Sequence, residues 1–334
     1  MSHEKVIVTG GAGFIGSHLV ERLLKEKHEV TVLDNFSNGK KDNLKEHLAN
    51  KKLHVINVDV SNFEKIVPYF KNISWVFHLA ALADIVPSIQ NPLVYHRSNV
   101  DGTINVLEAS RKHHIKRFIY TASSSCYGIP DSFPTKEIAS IKPEYPYAIT
   151  KYLGEQYALY WNVIYKLPVV SLRLFNVYGP RVRTTGTYGA VFGVFLAQKI
   201  HNKPFTVVGD GTQTRDFTFV SDIVDGFFKA AKANINHEII NLGSGHTYSI
   251  NNLVELLDGG VIYIPKRPGE PDCTYADITK AQKLLDYQPK VSFKEGVSIM
   301  LEHLDEWKQA PLWTPDSIKV ATQDWFTYLS KQKG

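Results

Sequence analysis

Cysteine is scarce in this chain: Cys126 and Cys273 are the only two among 334 residues. Two thiols exclude a disulfide framework and a cysteine-built metal cluster, and they point to a reducing, cytoplasmic setting. Long apolar runs are absent too, so nothing reaches membrane-spanning length. The first strand pattern starts near residue 5, which leaves no room for a signal peptide. Neither sign of charge dominates, because 38 Lys and Arg stand against 33 Asp and Glu for a net charge of +5. Such mild basicity reads as solvated lysines, for example Lys40, Lys41, Lys51 and Lys52, rather than a nucleic-acid face. None of the 13 histidines falls at metal-ligand spacing, and His113-His114 reads as the polar end of a helix. Repeats and low-complexity tracts are also missing. The remaining picture is a chain with 43% apolar content, enough for a large core in one big or two joined domains.

Strand and helix patterns alternate along that chain. Lys5–Thr9, residues 29–33, Leu53–Asn57, and residues 74–78, 117–121 and 168–174 read as buried strands, with helical stretches between them, notably 91–114. This order predicts an α/β fold whose parallel sheet is covered on both faces. Beyond about residue 176 the pattern is shorter and broken by glycine and proline, which suggests a smaller α/β substrate-binding region. Glu238–Leu242 is the candidate for a strand that returns to the large sheet. The expected division is 1–175 for a Rossmann-type nucleotide-binding domain, 176–310 for the substrate region, and 311–334 for an aromatic, helical tail that packs on the surface or on a partner.

The head of the chain carries Gly10-Gly11-Ala12-Gly13-Phe14-Ile15-Gly16, directly after the first strand and ahead of a helical pattern. Gly10 and Gly11 suit a tight turn, Gly13 lets backbone approach a pyrophosphate, and Gly16 lets helix and strand pack closely. The free N–H groups at a helix start favour that anion. A lone glycine fingerprint decides little. Here the second strand ends at Asp34, the spacing at which a carboxylate accepts both ribose hydroxyls of an adenosine. The same carboxylate would repel a 2′-phosphate, so the expected cofactor is NAD rather than NADP.

A second constellation lies at residues 120–151: Ser123-Ser124-Ser125-Cys126-Tyr127-Gly128 precedes Tyr147-Ala148-Ile149-Thr150-Lys151. Positions four apart share a helix face, so Tyr147 and Lys151 can point into one cleft. A phenol with an ordinary pKa of about 10 needs a nearby cation to act as a base at neutral pH. Lys151 is that cation, and Ser123 is placed to share the proton of a substrate hydroxyl. His78, at a strand end, reads as a hydrogen-bonded core residue.

Together the glycine fingerprint, Asp34-Asn35, the run His78-Leu79-Ala80-Ala81, the serine run and the Tyr-x-x-x-Lys pair resemble the extended short-chain dehydrogenase/reductase family. Within it, the likeness is to nucleotide-sugar 4-epimerases of the UDP-galactose and UDP-N-acetylglucosamine type. It continues through Asn176-Val177-Tyr178-Gly179-Pro180-Arg181, Gly209-Asp210-Gly211-Thr212-Gln213-Thr214-Arg215-Asp216 and Arg267-Pro268-Gly269-Glu270, spanning about residues 5–290. The resemblance implies NAD contacts from Gly10, Gly13, Phe14, Ile15 and Gly16, then Asp34, Asn35, Ser37, Asn38 and Gly39. Asp59, Val60, Leu79, Ala80, Ala81, Asn99, Tyr147 and Lys151 complete that set. For a nucleotide-diphosphate sugar it implies Ser124, Ser125, Asn176, Gly189, Ala190, Val191 and Thr206, with Arg215, Arg267, Glu270 and Thr274. Asn176 would donate to a phosphate, the two arginines offer forks suited to a diphosphate, and Glu270 would accept from a ribose hydroxyl. Arg181 and Arg183 divide evenly between that role and surface salt bridges. A homodimer through the helices at 91–114 and 147–166 is implied by resemblance alone.

The choice of reaction turns on what is missing beside Ser123. Dehydratases of this family carry an Asp-Glu pair directly after the catalytic hydroxyl, and the decarboxylases carry a Glu two positions after it. Here those positions are Ser124 and Ser125, so elimination lacks its proton carrier. The expected activity is C4 epimerisation with Tyr147, Lys151 and Ser123 as the catalytic set. Two alternatives remain: a dehydratase or decarboxylase using a carboxylate from elsewhere, and a catalytically silent NAD-binding scaffold. Thr274, just ahead of Tyr275-Ala276-Asp277, stands at the wall position that is bulky in glucose-restricted relatives and small where a 2-acetamido group is admitted, which points to N-acetylhexosamines.

Overall fold

Seven short runs of aliphatic and aromatic residues form one sheet. They are β1 (Lys5–Thr9), β2 (Glu29–Asp34), β3 (Leu53–Asn57), β4 (Trp75–His78), β5 (Arg117–Ser123), β6 (Val169–Leu174) and β7 (Glu238–Leu242). The computed structural model describes residues 3–184 and 189–330. Across the sheet the order is β7-β6-β5-β4-β1-β2-β3, and every pairing is parallel. The period of two sorts side chains onto opposite faces. Val6 and Val8 of β1 enter one apolar cluster and Ile7 the other, while on β5 Ile119 joins the first and Phe118 and Tyr120 the second. A parallel sheet needs such cover on both sides.

Helices supply it. α1 (Phe14–Lys25), α2 (Ile85–Gln90), α3 (Gly102–Lys112), α4 (Pro146–Tyr165) and α5 (Val220–Lys232) are the ones that bear on function. α1 starts at Phe14, inside the glycine run rather than after it, with Gly13 as a cap that offers no side-chain bond to the open first turn. The helical stretch expected over 91–114 is three consecutive pieces. Pro92–His96 and α3 flank a wide π turn at Arg97–Asp101, where Asn99 is turned into the protein.

Beyond β6, three two-stranded ribbons replace the regular alternation: Val177–Tyr178 with Thr218–Phe219, Thr214–Arg215 with Tyr248–Ser249, and Phe205–Val208 with Val261–Ile264. The chain rejoins the large sheet at β7, paired in register with β6 from Glu238↔Val170 to Leu242↔Leu174. At the end of the chain come α6 (Pro315–Ala321) and α7 (Gln323–Leu329). The last four residues of the expected tail, 331–334, lie outside the described residues. No helix among the described residues is long and apolar enough to cross a membrane.

Behind α4 sits a buried ion pair. Arg173 of β6 donates to Glu155 through Nη2 at 2.6 Å and Nε at 3.0 Å, and the Ser171 hydroxyl donates to the same carboxylate at 2.8 Å. Arg173 also donates to the Tyr127 hydroxyl, which donates in turn to Asn241 Oδ1 of β7 at 2.7 Å. Removing one partner of a buried pair leaves an uncompensated charge, worth about 3–5 kcal/mol. The network therefore fixes how α4 lies on β5, β6 and β7, and α4 is the helix that carries Tyr147 and Lys151.

Candidate functional site

Strand order reverses between β1 and β4, and in open parallel sheets that crevice, outside the carboxyl ends of the strands, is where ligands bind. The first turn is built for close approach. Gly10 has φ +68°, and a Cβ there would lie 2.7 Å from the Ala80 backbone nitrogen. A Cβ on Gly16 would lie 2.2 Å from the Gly10 carbonyl oxygen. Both positions admit glycine alone, and they bring the start of α1 against the end of β4, with Phe14, Ile15, Leu79, Ala80 and Ala81 half-buried around it.

His78 ties this corner together from below. Its Nδ1 meets the Thr9 hydroxyl at 2.7 Å and its Nε2 the Thr103 hydroxyl at 2.9 Å. The Thr103 hydroxyl donates to the Asn99 carbonyl, and the Thr9 hydroxyl accepts from Leu79 and Ala80 N–H. Those commitments assign the proton to Nε2. Burial lowers the His78 pKa to about 3, with Lys151 adding to the effect, so the ring is neutral. Its role is structural, as the sequence suggested.

Asp34 is 7% exposed and accepts from Ala12 N–H at 2.9 Å and Phe36 N–H at 2.8 Å. Burial raises its pKa against those two bonds. Each oxygen keeps a lone pair for a ribose hydroxyl. A Cβ on Gly39 would stand 2.9 Å from both oxygens, so the Ser37-Asn38-Gly39 loop arches over the carboxylate at a height that only glycine permits. Asn35 donates to Asp59 at 3.2 Å. Desolvation opposes ionisation of Asp59, but bonds from Ser61 and Asn35 prevail and hold its pKa low. Val60 fits against Gly102. These groups form a cradle that fits an adenosine diphosphate moiety. Asn99 is different: it accepts from Leu82 N–H and donates to the Leu82 carbonyl and to the Thr150 hydroxyl, so its amide orients the wall rather than facing a ligand.

On the other side of the crevice, Ser123 ends β5 and caps a short turn over Ser124–Tyr127, its hydroxyl 2.8 Å from that of Ser125. Pro146 at the first position of α4 presets the helix, with Tyr147 next and Lys151 one turn on. Burial raises the Tyr147 pKa, and the neighbouring Ser123 hydroxyl works in the opposite direction. Lys151 is 4% exposed, and burial lowers its pKa to about 7 against the pull of Glu155. Its Nζ lies 4.7 Å above the Tyr120 ring, whose hydroxyl donates to the Lys151 carbonyl at 3.0 Å. Gly154 makes room for that hydroxyl, since a Cβ there would be 2.2 Å from it. The expectation that Lys151 lowers the phenol is not met here: burial pushes Tyr147 up and Lys151 down, and the bond that opposes the rise at Tyr147 comes from the Ser123 hydroxyl.

The region expected to take the sugar nucleotide is charged. Arg215 donates to Glu270 at 2.9 Å, and Arg267 donates to the same carboxylate at 2.7 and 3.3 Å. Glu270, expected to receive a ribose hydroxyl, is thus also the hinge that holds both arginines. Arg215 and Glu270 border a cavity of about 320 Å³ whose floor includes Gly209, Thr212 and Gln213. Thr274 donates to Asn176 Oδ1 at 2.6 Å, which turns the Asn176 amide nitrogen outward as a donor. Buried Asp216 accepts from Ser244 N–H and hydroxyl, Ala276 N–H and the Thr218 hydroxyl, locking these loops together. Gly189 and Ala190 are exposed and Val191 half-buried at the start of the helix Val191–Ile200. Thr206 is buried, with its hydroxyl taken by Gln198 at 2.9 Å, so its side chain is already satisfied.

Four further residues, Arg183, Asp84, Tyr145 and Trp325, gather here without a site role assigned from the sequence. Arg183 reaches back across the crevice, donating to Asn38 Oδ1 and Asp84 Oδ2, each at 2.6 Å. Asp84 itself adds to the upward push on the Tyr147 pKa. Tyr145 stacks on Tyr147 with ring centres 6.4 Å apart and planes 9° apart, and Trp325 lies 6.4 Å beyond it. Among the described residues no group of three or more His, Cys, Asp or Glu is placed to hold a metal ion.

A sequence profile described as the NAD dependent epimerase/dehydratase family matches residues 6–243. The UDP-glucuronate 4-epimerase of Thermodesulfobacterium geofontis is 34% identical over 328 residues, which are 94% of this chain and 99% of that one. UDP-glucuronic acid decarboxylase 2 of Arabidopsis thaliana is 33% identical over 309 residues, 89% of this chain and 67% of that one. Among solved structures, the UDP-N-acetylglucosamine 4-epimerase from Methanobrevibacter ruminantium, in complex with UDP-N-acetylmuramic acid, superposes with a TM-score of 0.84. It is 34% identical, and the match covers 91% of this chain and 100% of that one.

The buried amine has a thermodynamic consequence that titration can expose. Lys151 goes from an ordinary 10.5 in the unfolded chain to about 7 in the folded one, so between those values the unfolded state binds more protons and stability climbs with pH. Lys151→Met removes the burdened group. We expect it to stabilise the protein at pH 6.5 by at least about 1 kcal/mol, the worth of one pKa unit, with the gain fading towards pH ~10. Denaturant melts across that range check it: a variant less stable than wild type at the lower pH, or a gain that grows with pH, contradicts the assignment.

Proposed function

The chain belongs to the NAD-dependent epimerase/dehydratase family, and from that premise we propose that it is a nucleotide-sugar C4 epimerase acting on a UDP-hexose or UDP-N-acetylhexosamine. NAD, when bound, supplies the hydride acceptor and donor beside the sugar. Everything else falls to the chain's own side chains. The Asp34 carboxylate holds the adenosine ribose and disfavours a 2′-phosphate. Tyr147 takes the proton of the sugar 4-hydroxyl while Ser123 hydrogen-bonds the same oxygen. Lys151, one turn along α4, carries positive charge as the phenol gives its proton up. After the sugar presents its other face, Tyr147 returns the proton, and the group ends inverted at C4.

The observation that carries this reading is the identity of the groups beside Ser123. Ser124 and Ser125 follow it on the turn, and neither can serve as acid or base in an elimination. Asp84, whose charge bears on Tyr147, is engaged by Arg183 at 2.6 Å. Decarboxylases stand among the relatives, so the distinction rests on the chemistry of these positions.

Asn176, Arg215 and Arg267 would hold the diphosphate, with Glu270 between the arginines. A homodimer is part of the proposal. Tyr157, Tyr160, Val163 and Ile164 of α4 are 37–56% exposed along one face, and Leu93 in the neighbouring helical piece is 84% exposed. Apolar surface of that extent marks an interface, and sedimentation that finds only monomer at micromolar concentration refutes it.

Two experiments test the chemistry. Purified protein is incubated with a panel of nucleotide sugars and the products are read by mass and proton NMR. Unchanged mass with inverted C4 stereochemistry is expected, whereas loss of water or carbon dioxide overturns the epimerase reading and absence of any turnover favours a silent binder. In the same assay Tyr147→Phe should lose at least about 10²-fold in turnover, the scale of a general base. Calorimetry on that variant, stripped of nucleotide, should still register NAD and leave NADP weak; near-normal turnover removes Tyr147 from its role.

Thr274 sets the sugar in this proposal. Its small side chain leaves volume that tyrosine would fill, and overfilling a packed wall costs about 1–3 kcal/mol. Thr274→Tyr also breaks the bond to Asn176, which touches every substrate alike, so the readout is a ratio. Preference for UDP-N-acetylglucosamine over UDP-glucose should fall roughly tenfold, within the range that such an overfilling penalty implies. Parallel changes on both sugars would sink the gate.

A further inference from the structure

The C-terminal helices reach the same cleft. α6 opens with a capping box between Thr314 and Ser317, and its Ile318 is anchored in the large apolar core. α7 then presents Trp325, which is 5% exposed. Three groups of the cleft walls converge on this one indole. Nε1 donates to the Pro268 carbonyl at 2.7 Å, and the Arg267 guanidinium lies 5.1 Å from the ring centre. Tyr145, the stacking neighbour of Tyr147, is the third. Val86 and Ile89 of α2 close the nest, and Gln90 donates to Asp324 at 2.8 Å to hold α7 against α2.

Arg267 is held along its edge by Glu270 and across its face by the indole. A planar cation fixed on both counts keeps its fork aimed, whereas an edge contact alone lets the long side chain swing and restores rotamer entropy that ligand binding must then remove. The bond from Nε1 to Pro268 fixes the backbone of the same loop. We propose that Trp325 is a positioning residue of the active site, through which the C-terminal helices hold Arg267 ready for the diphosphate of the substrate. The inference rests on the proposed function for its ligand. It gives the tail a part in binding that the sequence reading did not.

UDP, with GDP and dTDP beside it, is titrated calorimetrically into the NAD-loaded protein, Trp325→Ala, Trp325→Leu and Trp325→Phe. UDP affinity should fall about tenfold in Trp325→Ala and recover to within about threefold of wild type in Trp325→Phe, the scale of one partly desolvated cation–π contact. Retained NAD should be unchanged, and KM for the sugar nucleotide should move more than kcat. Trp325→Leu fills the nest without a π face and is the informative variant if Trp325→Ala does not fold. It should behave as the alanine form is expected to; wild-type UDP affinity in Trp325→Leu shows that the indole only fills space and overturns the inference, with the epimerase reading intact. A wild-type protein that takes up none of the three nucleotides overturns both.

Discussion

One buried run of hydrogen bonds joins the dinucleotide turn to the catalytic helix. It passes from Thr9 at the end of β1 through His78 to Thr103, then by the Asn99 backbone and amide to Thr150, whose hydroxyl donates to the Tyr147 carbonyl at 2.9 Å. All of its members except Tyr147 are almost fully buried, where an unmade bond costs more than a made one returns. The run is satisfied only if His78 stays neutral, and burial favours that by lowering its pKa to about 3. The wide turn that aims Asn99 inward serves this run, since the Asn99 carbonyl and amide are two of its links. The glycine turn and the helix that carries Tyr147 therefore keep a fixed relation to each other.

How much of this was legible in the sequence depended on how locally each feature is encoded. Strand positions followed from apolar runs between turns, and β1, β3 and β7 end where the pattern ended. Asp34 and Tyr147 were visible because each lies at a fixed short distance from a signal, a glycine turn or a paired lysine. Arg183 with Asp84, and Trp325 with Pro268, were not. Those contacts join residues 99 and 57 positions apart, respectively, and no periodicity records which distant loop a side chain will meet. The early start of α1 escaped as well, because a glycine cap leaves no side-chain signature.

Substrate-side electrostatics follow a related economy. Two arginines brought together repel, and Glu270 between them lowers that cost while keeping both forks on one side. Asp216, next to Arg215 in sequence, points the other way and binds four donors from three loops. Adjacent residues thus divide the work, one facing the cleft and its neighbour holding the cleft walls together. Thr274 sits where both meet, accepting from Asp216 N–H while donating to Asn176.

The pairing of β7 with β6 bears on how the protein can be made. β6 is buried along its whole length, and its outer edge receives its partner only when Glu238–Leu242 has been added. During synthesis the open strand must wait for roughly 70 further residues, on the order of 3–14 s at ~5–20 residues per second. An unpaired apolar edge is a template for other chains in that interval. The first half of the nascent chain, with its glycine turn and serine run already complete, is therefore committed to waiting for the second before it can be left safely in water.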